Sequence, residues 1–179
     1  NFVHTIVLSG GIAYVGGFFT SIGGQVRNFI AALDLTTGTA TAWNPSASSN
    51  VRALVLSGST IYAGGDFVSI GGQARNFIGA LDTTTGFATA WNPNSNSNVF
   101  VLGLSGSTIY AGGAFTNIGG QTRNRIAAID TGTGLATAWN PNANNDVDAL
   151  ALSSSTVYIG GDFTTIGNAS VSRFAIIPR

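Results

Sequence analysis

A motif of 48 residues recurs along the chain, and it constrains the fold more than any other feature of the sequence. Three copies are complete, at 3–50, 51–98 and 99–146, and a fourth, at 147–179, ends about a quarter early. The clearest markers of the period are Trp43, Trp91 and Trp139; Tyr14, Tyr62, Tyr110 and Tyr158; and the pairs Gly16-Gly17, Gly64-Gly65, Gly112-Gly113 and Gly160-Gly161. Self-similarity at such a period indicates a solenoid, a propeller or a linear array of small units.

Each complete copy predicts four β-strands and no helix. In the second copy the strands are VRALVLS, IYAGGDFVSI, FIGALD and FATAW. They are separated by GST, the polar loop GGQARN and the tight turn TTTG, and NPNSNSN leads to the next copy. Proline follows the fourth strand of each complete copy, where a missing N–H disturbs no strand ladder.

The predicted strands are apolar on both faces, so both faces must be covered by other parts of the protein. Short antiparallel strands that are buried on both faces and repeat every 48 residues predict the blades of a β-propeller. The expected fold is therefore an all-β propeller, or partial propeller, in a single domain at 1–179, with three full four-stranded blades and a fourth that lacks its last strand. A parallel β-helix is the competing fold, and the recurring hairpin turns favour the propeller.

The composition removes several classes of function. The chain has no Cys, Lys or Glu and one His, and its net charge is zero. A zinc site of cysteine and histidine ligands is excluded within one chain, and a basic surface for nucleic acid is absent. No apolar run approaches the ~20 residues of a membrane helix. We therefore expect no enzyme activity, no cofactor, no metal, no nucleic-acid partner and no membrane span.

The repeat also carries a family resemblance. Its string is Tyr-x-Gly-Gly-x-Phe-x-x-Ile-Gly-Gly-Gln-x-Arg-Asn, and at residues 62–93 the sequence reads YAGGDFVSIGGQARNFIGALDTTTGFATAWNP. It resembles the delta-60 type of bacterial β-propeller repeat, found in large secreted or surface proteins, and is kelch-like in repeat length only. The resemblance implies a propeller in an extracellular or cell-surface setting and no agreed activity. The acidic position after Gly-Gly is Asp66 or Asp162 in two copies but Phe18 or Ala114 in the others, which excludes any site that needs this acid in every blade.

The residues that recur with the repeat are interpreted as structural. The tryptophans are expected to pack between blades, the arginines to brace loops and the aspartates to bond turn amides. These structural positions are Trp43, Trp91, Trp139, Arg27, Arg75, Arg123, Asp34, Asp82 and Asp130. The Asn-rich loops are weaker candidates for binding a glycan or a protein, through Asn94, Asn96, Asn142 and Asn144. Calcium at Asp66 or Asp162 is disfavoured, because one carboxylate per blade is few for a cation that takes 6–8 oxygens.

The fourth copy lacks the strand that carries the tryptophan, and its end is expected to slip in register by one residue near Ser172. The chain then has 15 recognisable strands rather than 16, and only Asn1 and Phe2 precede the first of them. An unpaired sheet edge is a template for another chain, so the candidate assembly edge is Phe174, Ile176 and Ile177. Four outcomes stay open: a missing strand elsewhere in a longer protein, two chains combining into about eight blades, a head-to-tail polymer, and a four-bladed ring with one defective blade.

These patterns favour a non-catalytic, extracellular or cell-surface β-propeller module that is structural and self-assembling. Its fourth blade would be completed by strand exchange with another chain or with a missing segment, giving a homo-oligomer or a polymer. The low charge supports self-association, because little repulsion opposes it. The alternative is a lectin-like or adhesive module that binds a glycan or a protein. A hydrolase remains a third interpretation, which would require two aspartates to converge in one pocket.

Overall fold

The computed structural model describes residues 2–179 and divides into two units, Asn1–Asn92 and Pro93–Arg179. The first unit contains the first repeat and most of the second, and the second unit contains the third and the fourth. All regular secondary structure in the described residues is β-strand, and every strand pairing there is antiparallel. The all-β prediction is confirmed, and the parallel β-helix is excluded.

Each copy contributes one three-stranded sheet and one short hairpin. The long strands are β1 (Phe2–Ser9), β2 (Ile12–Phe18), β5 (Ile30–Asp34), β6 (Val51–Ser57), β7 (Thr60–Gly65), β10 (Ile78–Asp82), β11 (Val99–Ser105), β12 (Thr108–Gly113), β15 (Ile126–Asp130), β16 (Val147–Leu152), β17 (Thr156–Gly161) and β20 (Phe174–Pro178). The short strands are β3 (Ser21–Ile22), β4 (Gln25–Val26), β8 (Ser69–Ile70), β9 (Gln73–Ala74), β13 (Asn117–Ile118), β14 (Gln121–Thr122), β18 (Thr165–Ile166) and β19 (Ala169–Ser170). The second long strand lies in the middle of every sheet.

The fourth member of each complete blade is short. In place of a continuous strand, Ala40, Ala88 and Ala136 each form a single β-bridge to the third long strand. In the first copy this bridge consists of the Asp34 amide donating to the Thr39 carbonyl at 2.9 Å and the Thr41 amide donating to the Ala32 carbonyl at 2.8 Å. The fourth copy ends with β20, before the residues that make this bridge in the other copies.

The segment predicted as the polar loop GGQARN is a hairpin turn. Gly71 and Gly72 have φ angles of 61° and 77°, which side chains disfavour, and they reverse the chain between β8 and β9. The strand predicted over IYAGGDFVSI is therefore interrupted after Gly65 and resumes at Ser69. The loop prediction fails at Gly71 and Gly72, because two adjacent glycines mark a tight turn as well as they mark a longer loop.

The predicted register slip near Ser172 is wrong. Phe29, Phe77, Arg125 and Arg173 all have φ between 59° and 65°, and they lie 48 residues apart. At each of them the amide donates to a phenylalanine carbonyl and the carbonyl accepts from the second glycine of the pair; for Arg173 the distances are 3.2 Å and 3.1 Å. Arg173 is thus the equivalent of Arg125 rather than of Arg123. The position equivalent to Arg123 is Val171.

The two glycines of each pair face different neighbours. The second glycine lies against backbone: a Cβ added to Gly65 would collide with the Asn50 carbonyl oxygen. In the first and third copies, the first glycine lies against the next repeat of the same unit. A Cβ added to Gly16 would lie 2.6 Å from Val51 Cγ1, and one added to Gly112 would lie 2.7 Å from Val147 Cγ1. We call this pairing of a strand-opening valine with the preceding copy's glycine the valine–glycine contact.

The cores of the two units are built from equivalent residues. In the first unit, Val51 and Leu54 belong to one hydrophobic cluster with Tyr14 and Trp43 of the preceding copy. In the second unit, Val147 and Leu150 pack in a cluster with Tyr110 and Trp139. The largest fully buried side chains are Phe67, Phe115 and Phe163, one in each of three successive copies. Repeats therefore pack sheet face on sheet face, which explains why their strands are apolar on both sides.

Candidate functional site

Trp43 and Trp139 each bond the following repeat through the indole N–H. The Trp43 indole N–H donates to the Asp82 carbonyl at 3.0 Å, and the Trp139 indole N–H donates to the Pro178 carbonyl at 2.8 Å. Each tryptophan ring also stands edge-on to the tyrosine of its own copy, with centroids 4.9–5.2 Å apart. Trp43 and Trp91 are only 6% exposed, so their rings offer little face on which a sugar could stack.

The arginine series braces the end of each complete blade. Arg75 donates from Nη2 to the Thr89 carbonyl at 2.5 Å and from Nη1 to the Ala74 carbonyl at 2.8 Å. Arg27 and Arg123 make the same pair of bonds in their own copies. The planar guanidinium reaches two carbonyls at once, and this ties the segment before the tryptophan to the short hairpin. Both outer nitrogens are thereby engaged with backbone.

The aspartate series organises the tight turn after the third long strand. Asp82 Oδ1 accepts from the Thr85 amide at 2.7 Å, from the Thr85 hydroxyl at 2.9 Å and from the Thr84 amide at 3.0 Å. Asp34 and Asp130 accept the equivalent bonds. The turn amide three residues on is the main cause that lowers the pKa of each of these carboxyls, because hydrogen bonding favours the charged form.

The Asn-rich loops are also engaged with the protein itself. Asn144 donates to the Thr164 hydroxyl at 2.9 Å, and its side-chain oxygen accepts from the Thr164 and Thr165 amides at 2.8 and 3.0 Å. Asn96 makes the same three bonds to Thr116 and Asn117. Asn142 accepts from Asn124 at 2.7 Å and, like Asn94, has a positive φ that asparagine tolerates. Asn96 and Asn144 therefore fasten the loop of one repeat to the short hairpin of the following repeat, whereas Asn142 bonds within its own repeat.

Three further carboxylates lie in ion pairs. Asp66 contacts Arg52 Nε at 2.7 Å, Asp146 contacts Arg125 Nη1 at 2.8 Å, and Asp162 lies 3.7 Å from Arg173 Nη1. Within residues 2–179, no three histidine, cysteine, aspartate or glutamate side chains group closely enough to hold a metal ion.

Large apolar side chains are exposed on strands whose equivalents are buried in other copies. On β20, Phe174 and Ile176 are exposed, whereas the equivalent Ile30 and Ala32 are buried. On β1, Val3 is 42% exposed, whereas Val51, Val99 and Val147 are 0% exposed. The sequence pointed to Phe174, Ile176 and Ile177 as a strand edge for assembly, not as an exposed sheet face. It missed the surface on β1, because Val3 looks the same as its buried equivalents when copies are aligned.

Comparisons with known proteins agree with this architecture. The model of a domain of unknown function (DUF5122) beta-propeller matches residues 108–129. The chain is a β-propeller repeat protein. Among solved structures it resembles the computationally designed Ika4 protein, with a TM-score of 0.63 and 16% identity over 99% of this chain and 91% of that one. The computationally designed Ika8 protein gives 0.59 and 19% over 88% of this chain and 42% of that one.

A chain of the Mitotic Checkpoint Complex gives a TM-score of 0.63 and 18% identity over 89% of this propeller chain. The propeller chain spans 44% of that chain, so it corresponds to less than half of two of these three structures. At such low identity the likeness concerns the fold alone. No curated protein matches the chain. Residues 2–179 contain no helix that is long and apolar enough to cross a membrane.

Removing the arginine brace is expected to weaken a propeller blade measurably. Arg75→Ala removes both bonds to carbonyl oxygens, and a hydrogen bond to a charged group contributes about 1.5–3 kcal/mol. We expect the free energy of unfolding to fall by about 2 kcal/mol, read from the urea midpoint. Arg173→Ala is the matched control, because its side chain is 74% exposed, and it should stay within about 0.5 kcal/mol of the wild type. Equal losses in both variants would contradict the bracing role.

The turn aspartates predict a specific loss of stability in acid. Their pKa values are lowered in the folded propeller, so they add stability above the unfolded pKa of about 3.9. That stability is lost as the pH falls through the lower, folded pKa. The urea midpoint should therefore drop as the pH is lowered from 5 to about 2. Replacing Asp34, Asp82 and Asp130 together by asparagine should flatten this dependence, and an unchanged slope in the triple variant would refute the assignment.

Proposed function

We propose that the chain is a non-catalytic, structural β-propeller module that associates with further copies of itself at an extracellular or cell-surface location. The observation that carries the proposal is the exposure of apolar residues at repeat positions that are buried elsewhere in the same chain. Val3 and Ile176 are exposed, whereas Val51 and Ala32 are covered by a neighbouring repeat. Exposed apolar surface of this kind marks an interaction site.

The chemistry of the described residues supports a role without catalysis. Each recurring aspartate bonds its own turn, and Asp66, Asp146 and Asp162 contact arginines. The one histidine, His4, stands edge-on to Phe2 with ring centroids 4.8 Å apart. The described residues that line the apolar cavity beside Gly160 and the cleft beside Phe87 include no carboxylate. The extracellular location and the delta-60 type rest on the composition and on the repeat string.

The open edge of β20 is one route to association, through a strand donated by another chain. The equivalent edge in the first copy uses the Asp34 amide as donor and the Ala32 carbonyl as acceptor. In the fourth copy these positions are Pro178, which has no amide hydrogen, and Ile176. A proline at a sheet edge discourages strand addition, because half of the bridge cannot form. Strand exchange is therefore the weaker route, and packing on a sheet face is the stronger.

The alternative is a glycan- or protein-binding propeller module. One cleft of about 190 Å³ favours it. Glycines, Thr85 and the exposed ring of Phe87 line this cleft. Asn44, Pro45 and Gly72 also line this cleft, which belongs to the first unit. A glycan array probed with labelled protein tests this alternative. Binding that is lost in Phe87→Ala would favour it over the structural role.

Light scattering coupled to size exclusion tests the proposed function. The chain has a mass of 18.2 kDa, and we expect a larger mass that rises with concentration over the micromolar range. A constant mass equal to that of one chain at every concentration would overturn self-association.

A further inference from the structure

The two internal interfaces show what covers each sheet face of a repeat. In both, the valine that opens one copy lies over the first glycine of the preceding copy, Val51 over Gly16 and Val147 over Gly112. The buried Leu54 supports the first contact from the same strand, and its amide donates to the Thr5 hydroxyl at 3.2 Å. One interface therefore needs a valine strand on one side and a bare glycine on the other.

Gly160 presents the glycine half of this contact without a valine. A Cβ added there would meet only Ala149 Cβ at 3.6 Å and the Arg173 carbonyl at 3.8 Å, which is ordinary contact. Beside it lies an apolar cavity of about 220 Å³ lined by Ala149, Ala151, Tyr158 and other residues of the same sheet. We call this surface, with Ile176, the trailing face.

Val3 presents the valine half without a glycine. It opens the first copy as Val51 opens the second, and Ile6 and Leu8 follow at the positions of Leu54 and Leu56. Ile6 is 59% exposed, whereas Leu54 is 4% exposed. We call Val3, Ile6 and Leu8 the leading face. It has the residue types that pack on tyrosine and tryptophan inside each unit.

We propose that the leading face of one copy docks on the trailing face of a second copy, with Val3 over Gly160. The inference rests on the proposed function and names its contact. A second copy is the occupant because each face carries the half that the other lacks. The contact joins different surfaces, so each docked pair leaves one leading and one trailing face free to continue the assembly.

The residues beside the proposed contact follow from the repeat positions beside the contact of Val147 with Gly112. In the second unit, Arg125 pairs with Asp146 at 2.8 Å, across the contact between Val147 and Gly112. The equivalents at the proposed contact are Arg173 and Phe2, whose ring is exposed. A guanidinium over an aromatic face is a favourable pairing, so docking would add this attraction to the contact that Arg173 makes with Asp162 at 3.7 Å.

Gly160→Val fills the receiving position and tests the inference. An added Cβ makes only ordinary contacts in the single chain, at 3.6 and 3.8 Å, so we expect the urea midpoint of this variant to stay that of the wild type. Its self-association should weaken at least tenfold in sedimentation equilibrium. Val3→Asp should do the same, and Val26→Asp is the control, since Val26 is an exposed valine of the short hairpin. If the wild type associates and Gly160→Val does not weaken it, the inference fails while the proposed function stands; a wild type that never associates overturns the proposed function.

A cysteine pair reports who occupies the face. The chain has no native cysteine, so Val3→Cys and Gly160→Cys can be made in separate chains and mixed under mild oxidation. A Cβ at Gly16 would lie 3.1 Å from Val51 Cβ, close to the ~3.5–4.5 Å of a disulfide. We expect a mixed dimer that forms faster than either homodimer. Homodimers alone would overturn the docking of a second copy. So would an intrachain disulfide without any dimer in a variant that carries both Val3→Cys and Gly160→Cys.

Discussion

Gly112→Val is expected to lower the free energy of unfolding of the second unit by about 3 kcal/mol, or to prevent its folding. The added Cβ would lie 2.7 Å from Val147 Cγ1 and 2.8 Å from Val101 Cγ1, and 3.1 Å from the Val147 carbonyl oxygen. Val147 is fully buried, so it has no free volume into which it can move. The sheets must then separate, which exposes the apolar surface that joins the two repeats. The urea midpoint of the purified variant measures the loss.

Gly160→Val is the matched control for this substitution. It makes the same chemical change at the same repeat position, but a Cβ there makes only ordinary contacts at 3.6 and 3.8 Å in the single chain. At concentrations below the onset of association, its midpoint should equal that of the wild type. Equal destabilisation by the two variants would contradict the valine–glycine contact, because the loss would then come from the glycine strand itself.

Phe67→Ala is expected to cost about 3–5 kcal/mol of folding free energy. Phe67 is fully buried in the cluster that contains Tyr14 and Trp43, so truncation leaves a cavity as well as a loss of apolar burial. Chemical denaturation of the variant, followed by tryptophan fluorescence, measures the change. Trp43 of that cluster contributes to the signal together with Trp91 and Trp139.

The control is Phe87→Ala, the same truncation at a phenylalanine that is 69% exposed. It should change the free energy of unfolding by no more than about 0.5 kcal/mol. A loss at Phe87 as large as that at Phe67 would mean that the cleft beside Phe87 is part of the core. It would also weaken the glycan-binding alternative, which needs that ring at the surface.

The repeat predicted the fold class because the same residue types recur at the same positions of every copy and build the same local structure there. Trp43 and Asp82 recur every 48 residues. In each complete copy the tryptophan amide donates to a threonine hydroxyl and the aspartate carboxylate accepts from a turn amide. The fourth strand was predicted too long, since the segment ending in tryptophan has strand composition but only Ala88 pairs in the second copy. The register slip predicted near Ser172 does not occur, because Arg173 keeps the 48-residue period. Its positive φ identifies it with Arg125.

The candidate contact was less accessible to sequence reasoning. Val3 and Val51 are identical in type, and only the structure distinguishes a covered valine from an exposed one. The sequence shows the pair Gly16-Gly17, but the role of Gly16 follows only from the position of Val51 above it. Pro178 weakens the predicted strand exchange through a missing amide hydrogen, and this follows only once its place in the bridge is known.

The most direct test is an experimental structure of the associated protein, which would show what covers Gly160. We expect Val3 of a neighbouring copy to cover Gly160 as Val51 covers Gly16, with Ile6 and Leu8 buried beside it. Association through any other surface, with Gly160 open to solvent, would contradict this expectation.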